Sequence, residues 1–130
     1  MSQIDVLIVV DAEGALASKD LGSNVYLIDT NKHVGSGSEG QAELKTVCKD
    51  GQVINWRVAA VSPSSDVSIT QFTGQMINDR FCIPSQVTTP DGIYWQGRVE
   101  AQGATGSQQY SVELSLDGQA MSFDPFLEIS

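Results

Sequence analysis

The chain has 130 residues, 41% of them hydrophobic, and its 16 acidic against 7 basic residues leave a formal charge of −9. That length suits a single domain over residues 1–130, able to bury roughly two thirds of its unfolded surface without metals or disulfides. Lys19, Lys32, Lys45, Lys49, Arg57, Arg80 and Arg98 are scattered, which argues against nucleic acid and anionic membranes as partners, because affinity for phosphate comes mainly from clustered Lys and Arg.

The first apolar run, IDVLIVV at residues 4–10, is followed by Asp11 and Glu13. Such a run opens many doubly wound α/β domains, with carboxylates at the strand's carboxyl end. That fold needs crossover helices of about ten or more residues between parallel strands. The helical candidates here are residues 12–21, interrupted by Gly14, and a weak turn over residues 39–44. Residues 4–10 are therefore expected to form a central strand flanked on both faces, which accounts for Leu7 and Val9 breaking the polar alternation. The run is too short to span a membrane, and no positive charge precedes it as in a secretory signal. The expected location is the cytoplasm, with any release independent of a signal peptide.

Residues 24–29, NVYLID, read as a second strand. Asp11, Glu13, Asp29 and Asn31 would then be ligand-binding candidates if both strand ends met at one end of the fold, where oxygen-bearing side chains suit calcium. The blander reading has Asp11 and Asn31 shaping turns and Glu13 solvated. It is preferred, and neither a metal nor a cofactor is expected. His33 is the sole histidine and is read as a solvent-facing loop residue. The run VGSGSEG at 34–40 lacks the GK[ST] ending of a phosphate loop and is read as a connection.

Residues 43–49 alternate, Asp50-Gly51 is a two-residue turn signal, and residues 52–60 alternate again, which predicts a hairpin. Cys48 shares a face with Leu44 and is expected to be a reduced core thiol, as is Cys82. Residues 67–72 and 93–101 are further strands, with Pro63, Pro84 and Pro90 between strands. Trp56 and Trp95 fall on apolar faces and are assigned to the core. Tyr94 and Arg98 fall on an outward face, where a ring and a guanidinium suit a sugar or a protein partner. The last hairpin joins residues 110–116 to 119–123 through Asp117-Gly118. Together these elements predict an all-β fold, an antiparallel two-sheet β-sandwich with at most one short helix. No nucleophile stands at motif spacing from the histidine, so no enzyme is expected.

The segments MSQIDVLIVVDAEGALAS, NVYLIDTN, VCKDGQVINWRV, VSPSSDVSITQFTGQM and YSVELSLDGQAMSFDPFLEIS, in that order, resemble the AidA/PixA inclusion-body protein family of bacteria. The resemblance implies a compact β-rich cytoplasmic protein under quorum or growth-phase control in host-associated bacteria. It also implies intracellular inclusions in some members and a part in virulence or host persistence, with no catalytic residues to carry over. The chain departs from inclusion-forming relatives that are methionine-rich, having only Met1, Met76 and Met121, and it ends soon after Phe126. Three functions stand as expectations. The first is a non-enzymatic interaction protein whose partner is a host glycan or host protein. The others are a self-assembling inclusion or storage protein, and a metal-dependent module at the Asp11/Asp29 end. Strand edges favour self-pairing while the net charge limits growth, so a homodimer or small closed oligomer is expected.

Overall fold

A computed structural model describes residues 3–30 and 44–130. Asn31, His33, the glycine-rich run at 34–40 and the turn beginning at Glu39 lie outside the described residues. In chain order the elements are β1 (Ile4–Val10), α1 (Ala12–Ser18), β2 (Val25–Asp29), β3 (Lys45–Cys48), β4 (Val53–Ala60), β5 (Val67–Thr73) and α2 (Gln75–Asn78). Then follow β6 (Ser85–Thr89), β7 (Gly92–Arg98), β8 (Gly106–Gln109), β9 (Ser111–Leu116), β10 (Gln119–Phe123) and β11 (Phe126–Ile129). The described strands form a five-stranded sheet ordered β2-β1-β4-β7-β6 and two three-stranded sheets, β10-β9-β5 and β3-β11-β8.

The all-β class is as the sequence predicts, and three details differ. Two pairs are parallel, β1 with β4 and β3 with β11. Alternation sets which face a strand buries and is blind to the direction of its neighbour. A second helix, α2, spans four residues, too short for periodicity to reveal. And Asp50-Gly51 joins strands of different sheets: β3 pairs with β11, and β4 pairs with β1 and β7. The turn itself forms, with the Gln52 N–H donating to the Lys49 carbonyl at 3.1 Å and Gly51 at φ 87°. Its carboxylate reaches sideways instead, accepting from the Ala101 and Gly103 amides at 2.8 and 2.9 Å. The Gly103 and Ala101 amides hold the Asp50 carboxyl below the usual range. Asp117-Gly118 does close a tight hairpin, β9–β10, with both residues at positive φ.

The core lies where the inward side chains of β1, β2 and β4 meet those of the smaller sheets. Val6, Ile8, Leu27, Ile54 and Trp56 are buried there with Leu114, Leu116 and Leu127. The Trp56 ring packs 5.0 Å from Phe72 of β5 and 6.0 Å from Tyr110, which stands between β8 and β9. Its indole N–H donates to the Tyr110 hydroxyl at 3.2 Å, so a polar atom at the centre of an apolar core has its partner. Trp95 is partly buried and reaches the same cluster through Phe72 at 5.4 Å. A second buried bond joins sheets at the side, where the Thr46 hydroxyl donates to the Asp29 carboxylate at 2.7 Å.

Tyr110→Phe keeps the ring and removes the hydroxyl that accepts from the Trp56 N–H. It should lower unfolding free energy by about 1–3 kcal/mol, the cost of an unsatisfied buried donor. Urea titration followed by tryptophan fluorescence measures this. An unchanged midpoint would show that the bond does not anchor the core.

Candidate interaction surface

The carboxylates that end β1 and β2 do not meet. The Asp11 N–H donates to the Asn24 carbonyl at 2.9 Å, while Asp29 lies opposite Val6. The antiparallel register thus sets Asp11 and Asp29 about 17 Å apart along the sheet. Asp11 caps α1, its side chain accepting from the Gly14 N–H at 3.1 Å. Glu13 is exposed in the first turn, Asp29 is buried against Thr46, and Asn31 lies outside the described residues. Among the described residues no three His, Cys, Asp or Glu side chains gather as metal ligands would. Asp11 and Asp29 each have a local structural task.

The outward face of the five-stranded sheet has more to offer, and its composition follows from register. The β1–β4 pairing aligns Asp5 with Asn55, Leu7 with Arg57 and Val9 with Ala59, all turned away from the core. Across β1, Leu7 faces Ile28 and Val9 faces Tyr26. Leu7, Ile28 and Tyr26 remain 40%, 45% and 48% exposed. This corrects the expectation that β1 is flanked on both faces. The strand is apolar on both sides, but one side is open to water, and β2 shares the pattern.

Beyond this apolar half the face is polar and internally satisfied. Asn55 donates to Gln3 and Asp5 at 2.8 and 3.1 Å, and Gln96 donates to Asn55 at 2.8 Å. Arg57 pairs with Asp5 at 3.3 Å and lies 4.6 Å over the Tyr94 ring. Tyr94 lies between Arg57, whose guanidinium covers its ring, and its register partner Val87 on the next strand. Arg98 is exposed on the same face, four residues and about 13 Å along the strand from Tyr94. The sheet brings the two onto one face without joining them in one subsite.

Charge sets this face apart. The outward positions of its strands carry one carboxylate, Asp5, and two guanidiniums, Arg57 and Arg98. The protein as a whole carries −9, so its negative charge lies elsewhere. Leu7, Tyr26 and Ile28 were missed as a surface by sequence reasoning. The available signal was that two neighbouring strands, IDVLIVV and VYLID, are apolar at odd and even positions alike.

Both thiols are interior. Cys48 and Cys82 are free thiols with 1% exposure each. Burial pushes both up to about 12, with Asp50 adding to the effect at Cys48, and Cys48 and Glu100 adding at Cys82. Burial also raises the Tyr110 phenol. A neutral, inaccessible thiol is a poor nucleophile.

The family model of a domain of unknown function, DUF8788, matches residues 2–122. No curated protein matches the chain. Among solved structures, the fold is similar to the crystal structure of an inclusion body protein (PixA) from Burkholderia cenocepacia J2315. The TM-score is 0.74 at 14% identity, covering 100% of this chain and 97% of that one. At that identity the likeness is one of fold, and the PixA-type fold implied by the sequence resemblance is the fold found. No described helix is long and apolar enough to cross a membrane.

Both thiols should resist alkylation in the native protein and react once it unfolds. The folded chain holds the thiol protons to higher pH than the unfolded chain, whose thiols titrate near 9. The thiols' contribution to stability is therefore fully present below about pH 9 and is lost as pH rises toward 12. Replacing both cysteines with alanine should flatten part of that decline, with Tyr110 supplying the remainder. Native labelling as fast as that of a free thiol would contradict the assignment.

Proposed function

The chain belongs to the DUF8788 family, and we propose that this member is a non-catalytic, self-associating protein that packs against its own copies when it accumulates. One observation carries the reading: the open face of the five-stranded sheet is apolar across Leu7, Val9, Tyr26 and Ile28 and free of the protein's net negative charge. Two acidic molecules approach each other with least repulsion through such a face. The likeness in fold to an inclusion body protein supports the same reading, as does the resemblance to the AidA/PixA family.

Magnitude decides what kind of contact this is. Four partly exposed side chains cannot fill the roughly 800 Å² per partner of a standard interface. A single such contact is weak, and it becomes effective when concentration is high and each molecule has further neighbours. That behaviour suits an inclusion-forming or storage protein better than a high-affinity receptor. The carbohydrate reading has less support, because the Arg57 guanidinium covers the Tyr94 ring and Arg98 lies apart from it.

Light scattering across a concentration series tests the proposal. Association should strengthen as salt rises from about 0.01 to about 1 M, which shortens the Debye length from about 30 to about 3 Å. Leu7→Lys with Ile28→Lys should abolish growth of large species at every salt level while leaving the fold intact. Equal scattering from wild type and variant would overturn the reading. Binding of the wild-type protein to a glycan array, lost in the same variant, would replace it with a host-ligand function for this face.

A further inference from the structure

The far edge of the same sheet is β6, and its backbone has a definite pattern of groups left for a neighbour. The Val99 N–H donates to the Gln52 carbonyl at 2.8 Å, so odd-numbered residues of this chain segment turn their amides toward β4. The Glu100 N–H donates to the Phe81 carbonyl at 2.7 Å, so even-numbered residues turn toward the β6 side. With Ser85 opposite Gln96, Val87 opposite Tyr94 and Thr89 opposite Gly92, those three β6 residues spend their backbone groups on β7. Gln86 and Thr88 point theirs outward. Both residues are exposed, and the strand, SQVTT, carries no charge. Natural edges are usually blunted by Lys, by inward charges or by proline. Here the proline device is present and confined to the ends: Pro84 and Pro90 occupy the next outward positions and have no N–H to give.

We infer that β6 is a self-complementary edge that pairs antiparallel with β6 of a second copy of this chain, on a two-fold axis through Val87. In that register Gln86 exchanges both backbone bonds with the partner's Thr88, and the axis repeats the exchange. Pro84 meets the partner's Pro90, so the ladder ends there and cannot slip far. The five-stranded sheet becomes one continuous sheet across the dimer, and the contact is isologous and closed. The same register brings the partner's Asp91 opposite Ile83. Ile83 lines a cleft with Arg80, Arg98 and Glu100. Arg80 and Arg98 are exposed, and among the described residues the ion pair found is Arg57 with Asp5. The two guanidiniums outweigh Glu100 and suit the arriving carboxylate. Arg80 holds a left-handed backbone at φ 59°, a position just after α2 that glycine ordinarily fills.

This edge contact is separate from the sheet-face contact proposed above and stands or falls without it. Amide hydrogen exchange on the full chain tests it. The Gln86 and Thr88 amides should exchange fast in dilute protein and at least about tenfold slower at high concentration, while the Val87 amide, bonded to β7, stays slow throughout. Thr88→Pro removes an outward N–H that β7 does not use, and should leave a folded monomer where wild type is dimeric by sedimentation. Asp91→Lys lies in an exposed turn, leaves the ladder intact and should weaken the dimer about tenfold. Concentration-independent exchange at Gln86 and Thr88, or a Thr88→Pro variant that dimerises like wild type, would overturn the inference. Wild-type protein that forms this dimer and no larger species at any concentration would count against the sheet-face contact alone.

Discussion

The register between β1 and β4 decides which side chains this protein shows to water. With Val6 beside Trp56 and Leu7 beside Arg57, the tryptophan enters the core and the arginine leaves it. A shift of one residue would exchange the two faces of β4, exposing Trp56 and burying Arg57. The aromatic cluster locks the choice. Trp56 is completely buried against Phe72 and Tyr110, with its N–H satisfied, so no other register offers the indole a comparable site. Arg57 is thereby fixed on the open face, where it neutralises Asp5 and covers Tyr94. The polar half of that face is quiet because its groups satisfy each other. The apolar half is exposed because β1 and β2 carry hydrophobic side chains on both sides and only one side is covered.

Local signals were legible in the sequence, and pairings between distant segments were not. Asp117-Gly118 reads as a hairpin because turn and strands are contiguous, and β9–β10 forms as expected. Asp50-Gly51 carries the same signal and does make a turn, but β3 finds β11 and β4 finds β1, some distance away in the chain. Nothing in the turn announces that. Asp11 follows β1 and Asp29 ends β2, yet β1 and β2 run antiparallel, so the ends of the two strands point apart. Cys48 and Trp56 were legible as core from alternation, and Cys82, which lies in no strand, from its residue type. The exposed face was present in the sequence as the double-sided apolar pattern of IDVLIVV and VYLID. It is ambiguous by nature: such a strand is either buried on both sides or open on one, and periodicity cannot distinguish them.

Symmetry connects the two proposed contacts. A two-fold contact alone stops at a dimer, whether it uses the β6 edge or the β1–β2 face. If both proposed contacts form and their two-fold axes do not intersect, alternating them builds an open array. The net charge of −9 opposes such growth, but both surfaces avoid it, β6 by carrying no charge and the sheet face by carrying mostly guanidinium. An assembly of this kind would be governed by concentration and screening.

Hydroxyl-radical footprinting in dilute and concentrated protein tests the central claim, that the open face of the five-stranded sheet is a self-contact. Leu7, Tyr26 and Ile28 are all oxidisable and roughly half exposed, and Val61, 59% exposed in the turn after β4, serves as an internal reference. Oxidation of Leu7, Tyr26 and Ile28 should fall together as concentration rises, while Val61 stays unchanged. Unchanged labelling of those three in a sample that has assembled would contradict the account.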